Sequence, residues 1–175
     1  GLVGGVCAIC CFSWRHGCAF LALTDLIAPL IPMGLFFGRA ANFINGELWG
    51  RVTDVPWAMI FPHVDVLPRH PSQLYEMLGE GLVLFLIMQC CVRRVQTRGM
   101  ISGIFLCFYA LIRFVLECFR EPDAQLGYLW HNWLTMGQVL YVPMLVAGAV
   151  LVYRCWQRRD HMPLIEDGTV LATAR

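Results

Sequence analysis

The sequence contains few charged residues, and the two signs nearly cancel. Asp, Glu, Lys and Arg make up 14% of 175 residues, and the formal net charge is +1. Overall charge therefore gives no reason to expect a nucleic acid or an acidic partner. Hydrophobic residues instead make up 58% of the chain, more than is usual in a soluble domain, and they form long runs. We therefore expect a membrane protein.

Several motifs that would indicate other functions are also missing. The chain has no glycine-rich nucleotide loop, no HExxH zinc helix and no internal repeat of the kind that marks many transporters. Its nine cysteines lie mostly in or beside apolar runs, without His or Cys neighbours at zinc spacing. We interpret them as small hydrophobic residues and expect neither a disulfide framework nor a metal site.

Five apolar segments predict membrane-spanning helices, at residues 1–14, 18–37, 74–92, 100–119 and 134–153. The last has no charged residue and about the length that crosses a bilayer. The first is short, as expected of a truncated helix, and the second contains Asp25, Pro29 and Pro32, which predict a kink. The predicted fold class is all-α, a polytopic transmembrane helix bundle over residues 1–159, with 160–175 as a cytoplasmic tail.

The connections between these segments predict an orientation. Basic residues follow the first, third and fifth segments: Arg15, His16, Arg93, Arg94, Arg98, Arg154, Arg158 and Arg159. Connections 38–73 and 120–133 carry both signs of charge. The excess of positive charge on cytoplasmic loops then places 38–73 on the outside as a periplasmic or interfacial loop. Tryptophans in or beside these connections fit an interfacial belt: Trp49, Trp57, Trp130 and Trp133.

Residues 38–50 (GRAANFINGELWG) form the first polar group. The stretch begins where the second segment ends, and its glycines, including Gly50, permit sharp turns. Arg39, Asn42, Asn45 and Glu47 supply donors and acceptors at the level expected for lipid headgroups. An alternative is an interfacial loop with a snorkelling arginine and a turn-forming Asn-Gly pair.

Tyr109, Arg113, Glu117 and Arg120 form the second polar group, with spacings of four, four and three residues. These spacings place all four side chains on one helical stripe. A charge within a spanning segment costs about 2.5–3.5 kcal/mol even on insertion scales, so it normally faces a protein interior or a wet cavity. The alternative is a structural Arg113–Glu117 ion pair that locks helices together.

Two further positions allow more than one interpretation. His70, in residues 70–76 (HPSQLYE), is either a base with a near-neutral pKa or part of a helix start in which it and Gln73 satisfy backbone groups. Asp25 either pairs with an arginine of another helix or lies in a wet, structural position near the cytoplasmic end; we favour the second. The arginines of the outer half suggest an anionic ligand, most simply a lipid phosphate.

Three ordered blocks resemble the bacterial prolipoprotein diacylglyceryl transferases. The first is Gly38 and Arg39 followed by residues 42–50 (NFINGELWG), and the second is 69–76 (RHPSQLYE). The third comprises Arg113, Phe114 and Glu117 with 119–123 (FREPD) and 136–138 (MGQ). The resemblance covers nearly the whole chain. Ala41 and Ala110 depart from it, since the family usually has glycine at both positions.

The resemblance implies a seven-helix membrane enzyme without metal or cofactor. The family moves a diacylglyceryl group from phosphatidylglycerol to the lipobox cysteine of preprolipoproteins in the bacterial inner membrane, releasing glycerol phosphate. It also implies that about two helices, and a histidine immediately before Gly1, are missing here. We therefore expect this chain to be inactive alone.

The resemblance, with the needs of thiol attack on a phosphate ester, assigns roles to individual residues. Arg39 and Arg113 would bind the lipid phosphate, and Asn42 and Glu47 would orient the headgroup or hold the arginines. Tyr109 would act near the reacting centre. The base would be the upstream histidine, with His70 and then Tyr109 as weaker candidates. The other residues predicted to bind phosphatidylglycerol are Asn45, Gly50, Glu117 and Arg120.

Two other functions remain open from the sequence. A transporter or flippase for an anionic lipid or small anion would move its substrate without covalent change. A purely structural membrane subunit would leave the stripe of Tyr109, Arg113, Glu117 and Arg120 unexplained.

Overall fold

The computed structural model describes residues 2–95, 97–121, 128–130 and 134–158, and helices dominate these ranges. The α-helices are α1 (Leu2–His16), α2 (Phe20–Ile27), α3 (Ile31–Asn45), α4 (Ser72–Glu76), α5 (Leu84–Val92), α6 (Met100–Leu116) and α7 (Met136–Arg158). A π-helical turn, Met77–Val83, joins α4 to α5, and a 3₁₀ turn, Glu117–Phe119, extends α6. The predicted all-α membrane bundle is confirmed.

Two short antiparallel hairpins lie between the helices. Strand β1 (Met59–Ile60) pairs with β2 (Pro68–Arg69), and β3 (Tyr128–Trp130) pairs with β4 (Leu134–Thr135). The predicted tail 160–175, Arg159 and Trp133 lie outside the described residues.

Three described stretches are long and apolar enough to cross a membrane: Ser72–Val92, Met100–Phe119 and Gly137–Gln157. Helices α2 and α3 make a further span if they count as one, since they meet at a 46° bend. The bend contains Pro29, and Pro32 lies at the start of α3, so the predicted kink is confirmed. Helix α1, with 15 residues, is shorter than these spans.

The structure moves one predicted boundary. Residues 38–45, predicted to begin an outer loop, are the last turns of α3. The helix ends only at Gly46, whose φ of 70° gives the left-handed C-cap that glycine adopts without strain. The long connection therefore begins at Gly46, and Arg39 and Asn42 are carried by a helix.

Close contact between α6 and α7 builds much of the bundle. A Cβ placed on Gly103 would lie 2.8 Å from Val152, and one on Gly148 would lie 2.8 Å from the Cys107 sulfur. Small residues at such positions let helix backbones approach in a membrane, where packing is the main source of association energy. This contact places the start of α7 beside the end of α6.

Asp25 has the structural role favoured from the sequence, although it is buried rather than wet. Only 5% of the residue is exposed. Its carboxylate accepts hydrogen bonds from Gly99 N at 2.5 Å, from Ser102 N at 2.7 Å and from Ser102 Oγ at 2.6 Å. Asp25 of α2 thus caps the N-terminus of α6, whose first backbone N–H groups have no partner within the helix.

Candidate functional site

Two arginines and two glutamates from three parts of the fold meet between the helices. Arg39 Nε lies 2.5 Å from Glu80 Oε1, and Arg39 Nη1 lies 3.0 Å from Glu76 Oε2. Arg113 Nη1 lies 2.8 Å from Glu76 Oε1 and 3.6 Å from Glu80 Oε1. We call these four residues the arginine–glutamate cluster. Each glutamate bridges both arginines, so the cluster joins α3, α6 and the span that contains α4.

Two glycines bring the carboxylate of Glu80 between the arginines. A Cβ on Gly81 would lie 2.8 Å from the Phe36 Cβ of α3, and one on Gly79 would lie 3.0 Å from Leu116 Cδ1 of α6. Glu80 therefore stands on a turn that touches both neighbouring helices. That turn is π-helical, a rare geometry that occurs mostly as single turns and often at functional sites.

The cluster is almost completely buried. Glu80 is 0% exposed, Glu76 1% and Arg113 5%, whereas 16% of the Arg39 side chain remains exposed. Burial of four ionisable groups is tolerable because the two positive and two negative side chains balance and contact one another. Arg39 is thus the most exposed member of the cluster.

The arginines keep donors that their carboxylate partners do not use. Each guanidinium has five N–H groups. Within the described residues, Arg39 Nη2 has no hydrogen-bond partner. Arg113 Nη2 lies 3.9 Å from Glu117 Oε2, beyond hydrogen-bond distance. The cluster can therefore still offer two guanidinium edges to an oxyanion.

Helix α6 and the first residue of the 3₁₀ turn that extends it supply three of the four residues predicted to share one stripe. Arg113 Nε donates to Tyr141 Oη at 3.0 Å, and Tyr109, one turn earlier, stacks on Phe105 with ring centroids 5.6 Å apart. Glu117 follows Arg113 by one turn and contacts α7, because a Cβ on Gly137 would lie 2.8 Å from Glu117 Oε1. The carboxylate nearest to Arg113 is Glu76, so a simple Arg113–Glu117 lock does not describe the site.

Arg120 differs from that predicted stripe. The α-helix ends at Leu116, and Arg120 follows the 3₁₀ turn with extended backbone angles, φ −83° and ψ 145°. Helical spacing therefore no longer applies to it. Its backbone forms an isolated β-bridge with Gly50, and its carbonyl accepts a hydrogen bond from Arg51 Nε at 2.9 Å.

Asn42, Asn45 and Glu47 lie at the end of α3 and just after it. Asn42 is partly buried, and its carbonyl accepts from Glu47 N at 3.0 Å, while Asn45 and Glu47 are exposed. Among the described residues, no side-chain hydrogen bond or ion pair joins these three to the arginine–glutamate cluster. Glu76 and Glu80 hold the arginines instead.

Gly50 lies where three chain segments cross. Its N–H donates to the His70 carbonyl at 3.0 Å, and a Cβ there would lie 2.5 Å from that oxygen and 2.7 Å from the Phe119 carbonyl oxygen. No side chain fits between two backbones at this separation. Gly50 is therefore a structural crossing point among segments 47–52, 68–73 and 119–121.

Arg69 links the chain segments that meet at Gly50. Its Nη2 lies 2.7 Å from Asp65 Oδ2, and its Nη1 lies 3.1 Å from Glu121 Oε2 and donates to the Gly50 carbonyl at 3.2 Å. The hydrogen bond from Arg69 lowers the pKa of the Asp65 carboxyl. The same bond raises the pKa of the Arg69 guanidinium.

His70 belongs to an aromatic group beside this crossing point. Its Nδ1 lies 3.1 Å from Tyr75 Oη, which accepts a hydrogen bond from Trp57 Nε1 at 2.6 Å, and Phe119 packs against both rings. Nδ1 is thereby engaged with the tyrosine hydroxyl. Within the described chain, no contact joins the His70 ring to the arginine–glutamate cluster.

The helix-start interpretation of residues 70–76 is correct for part of that block. Ser72 Oγ donates to the Leu48 carbonyl at 2.8 Å, and Gln73 Nε2 donates to the Glu47 carbonyl at 2.5 Å. Both side chains satisfy backbone oxygens of the loop after α3. The start of α4 is thus hydrogen-bonded to the loop that follows α3. Glu76 is the last residue of the same helix.

The sequence interpretation did not assign Glu76, Glu80 and Tyr141 to the site. A signal for the glutamates was present, since two carboxylates four residues apart in an apolar segment normally face a protein interior. Tyr141 gave no comparable signal, because tyrosine is ordinary in a spanning helix. Its contact with Arg113 depends on how α7 lies against α6.

The fold and site together define a polytopic membrane protein with paired arginines inside its helix bundle. Residues 1–154 match the family described as prolipoprotein diacylglyceryl transferase, and the chain belongs to that family. Two proteins named phosphatidylglycerol–prolipoprotein diacylglyceryl transferase are similar to it. The protein from Legionella pneumophila is 52% identical over 159 residues, which cover 91% of this chain and 61% of the relative. The protein from Pseudomonas aeruginosa is 52% identical over 163 residues, covering 93% and 61%.

The chain therefore spans about 61% of the length of the curated relatives it matches. The family resemblance drawn from the three sequence blocks is confirmed.

Proposed function

We propose that this protein is part of an enzyme that transfers a diacylglyceryl group from phosphatidylglycerol to the lipobox cysteine thiol of preprolipoproteins. The reaction is the first step of bacterial lipoprotein maturation and releases glycerol phosphate. The observation that carries the proposal is the pairing of the buried Arg113 with the partly buried Arg39, whose spare donors suit a phosphate. Family membership and the names of the relatives support the choice of substrates.

The expected setting is the bacterial inner membrane, with the C-terminus in the cytoplasm and the site toward the periplasm. The arginine-rich turn after α5 supports this orientation, because positive residues favour the cytoplasmic side. The arginine–glutamate cluster then lies at the other end of that span, near α4. A lipid headgroup of the outer leaflet would reach it from there.

Phosphate binding is the first task of the site. A guanidinium matches a phosphate with two parallel hydrogen bonds, and these charge-assisted bonds are stronger in a buried site than in water. Arg39, with the more exposed side chain, would meet the lipid first, and Arg113 would hold the phosphate from inside the bundle. Asn42, in the last turn of α3, and Glu47, just after that helix, would contact the glycerol headgroup.

Transfer requires the thiolate of the peptide, since the thiol is a weak nucleophile. The sulfur attacks the glyceryl carbon next to the phosphate, the carbon–oxygen bond breaks, and its electron pair leaves with the phosphate oxygen. The guanidinium groups stabilise the negative charge that develops on that oxygen. The thiol proton passes to a base, for which His70 and Tyr109 are the candidates in this chain.

We propose that Tyr109 acts beside the phosphate. It lies one helical turn before Arg113 on α6, and its ring stacks on Phe105. We propose that its hydroxyl hydrogen-bonds near the reacting carbon. The remaining proposed substrate-binding residues are Asn45, Gly50, Glu117 and Arg120. Of these, Gly50 and Arg120 would act by shaping the loop next to the cluster.

The proposal is tested by mass analysis of a lipobox peptide incubated with phosphatidylglycerol and the complete gene product that contains this chain. The expected result is a peptide heavier by one diacylglyceryl group. Arg39→Ala and Arg113→Ala should each lower transfer by roughly 100-fold or more, the effect expected when a transition-state oxyanion loses a donor. Arg94→Ala, which removes an exposed arginine after α5, should leave transfer unchanged.

Two results would contradict this proposal. Near-normal transfer in Arg39→Ala or Arg113→Ala would remove that residue from the phosphate site. Movement of lipid across the membrane without any change in peptide mass would instead favour a flippase.

A further inference from the structure

We infer that Glu80 is the positioning residue that sets the separation and orientation of Arg39 and Arg113 for the phosphate group. The inference rests on the proposed function and extends it to a residue outside the expected site. Glu80 is completely buried, so it acts through the arginines and not by touching substrate.

The contacts of Glu80 differ from those of the other bridging glutamate. Glu76 uses one oxygen for each arginine: Oε1 accepts a hydrogen bond from Arg113, and Oε2 forms an ion pair with Arg39 Nη1 at 3.0 Å without a hydrogen bond. Glu80 uses the same oxygen for both, with Oε1 2.5 Å from Arg39 Nε and 3.6 Å from Arg113 Nη1. Oε1 is hydrogen-bonded to Arg39 and forms a longer ion pair with Arg113, so one carboxylate atom lies between the two guanidinium groups.

The backbone around Glu80 leaves it little room to move. Gly79 and Gly81 stand on either side of it, and each is packed so closely against a neighbouring helix that a Cβ would come within 3.0 Å of a side chain. A carboxylate on this turn cannot shift to compensate for a shorter side chain. Replacing Glu80 by aspartate would therefore withdraw the shared oxygen by about 1.5 Å, the length of one carbon–carbon bond.

The second oxygen of Glu80 has no such role. Glu80 Oε2 is buried and forms no hydrogen bond with a described residue. Glutamine would keep an acceptor at the Oε1 position and place its amide nitrogen where Oε2 now stands. Glu80→Gln therefore keeps the position and removes the charge, whereas Glu80→Asp keeps the charge and moves the position.

The test compares these two variants in the complete gene product. Binding is measured by native mass spectrometry of the purified protein in neutral detergent, titrated with phosphatidylglycerol and, as a reference, phosphatidylcholine. Glu80→Asp should weaken phosphatidylglycerol binding by about tenfold, as expected for one lost charge-assisted hydrogen bond. Glu80→Gln should weaken it by less than about threefold, because the acceptor atom stays in place. Loss of the balancing negative charge should appear instead as a lower thermal stability.

Turnover provides a second measurement. Glu80→Asp should raise KM for phosphatidylglycerol while KM for the lipobox peptide stays unchanged, a split that a general loss of folding would not produce. Asp25→Asn is the matched control, because Asp25 is also a buried carboxylate but caps α6 away from the cluster. It should lower thermal stability and leave phosphatidylglycerol binding unchanged.

Three outcomes would overturn the inference: glutamine weakening binding more than aspartate, neither variant changing it, or both variants changing the two KM values equally. The proposed function fails separately, if the unaltered protein adds no diacylglyceryl mass to the peptide. In that case the lipid titration still decides whether Glu80 positions an anion site.

Discussion

At the residue scale, the site depends on charges that could not be buried singly. Arg113 is 5% exposed and would be very costly in the bundle without partners. Glu76 and Glu80 provide those partners and still leave guanidinium edges available. The same glutamates thus allow the arginines to be buried and, in the proposed function, would position them for the lipid phosphate.

Gly50 gives a prediction at the same scale. Gly50→Ala places a methyl group 2.5 Å from the His70 carbonyl oxygen and 2.7 Å from the Phe119 carbonyl oxygen, so one backbone segment must move. We expect a loss of about 1–3 kcal/mol or more, the usual cost of forcing an extra methyl group into a packed site. Thermal unfolding of the purified protein measures it. An unchanged unfolding temperature would show that the three segments do not cross as described.

At the element scale, the π-helical turn and the ends of α3 and α6 decide where the site lies. The turn presents Glu80 to both arginines, and α3 continues to Asn45, so that Arg39 stands on a helix. Helix α6 is fixed at its other end by Asp25. The element that carries Arg113 is therefore held from both ends, by a cap at the start and by the cluster near the finish.

The cap that Asp25 forms on α6 predicts that its removal lowers stability but leaves the transfer activity unchanged. Asp25→Asn leaves one acceptor oxygen where the carboxylate now receives three hydrogen bonds from Gly99 and Ser102. We expect a loss of about 0.5–2 kcal/mol, the range measured for N-cap removal. Unfolding in detergent measures the loss, and transfer at low temperature should match that of the unaltered protein. Loss of transfer in a folded variant would contradict a purely structural role.

At the scale of the whole molecule, helices from distant parts of the chain form the cluster, and one loop crossing lies beside it. Segments 47–52, 68–73 and 119–121 are joined by Gly50 and Arg69. Arg69 also holds Asp65 of the connection between β1 and β2. The loop region is thereby attached to the ends of α3 and α6, which carry the two arginines.

This attachment predicts a dependence on pH. The pKa of Asp65 is lower in the folded protein than its ordinary value of 3.8, because Arg69 donates to the ionised carboxylate. The stabilisation is therefore present above pH 3.8 and is lost as the pH falls through the folded-state pKa. Unfolding temperatures of the unaltered protein and Asp65→Asn should differ at neutral pH and converge as the pH falls below 3.8. A difference that grows toward acid pH would contradict the assignment.

The sequence by itself determined the fold class, the positions of the apolar segments, the kink in the second segment and the family. These follow from local composition, since long apolar runs and proline act on the chain wherever it lies in space. It also pointed to Arg113, because a charge within an apolar run stands out. Arg39 was found through the polar stretch 38–50 and its family resemblance.

Only the tertiary structure decided what those arginines contact. Asn42 and Glu47 stand near Arg39 in the sequence, yet its partners are Glu76 and Glu80, 37 and 41 residues further along. Arg113 and Tyr141 likewise meet only because glycines let α6 and α7 pack closely. Helix packing brings such residues together, and no local pattern encodes which faces of separate helices will meet.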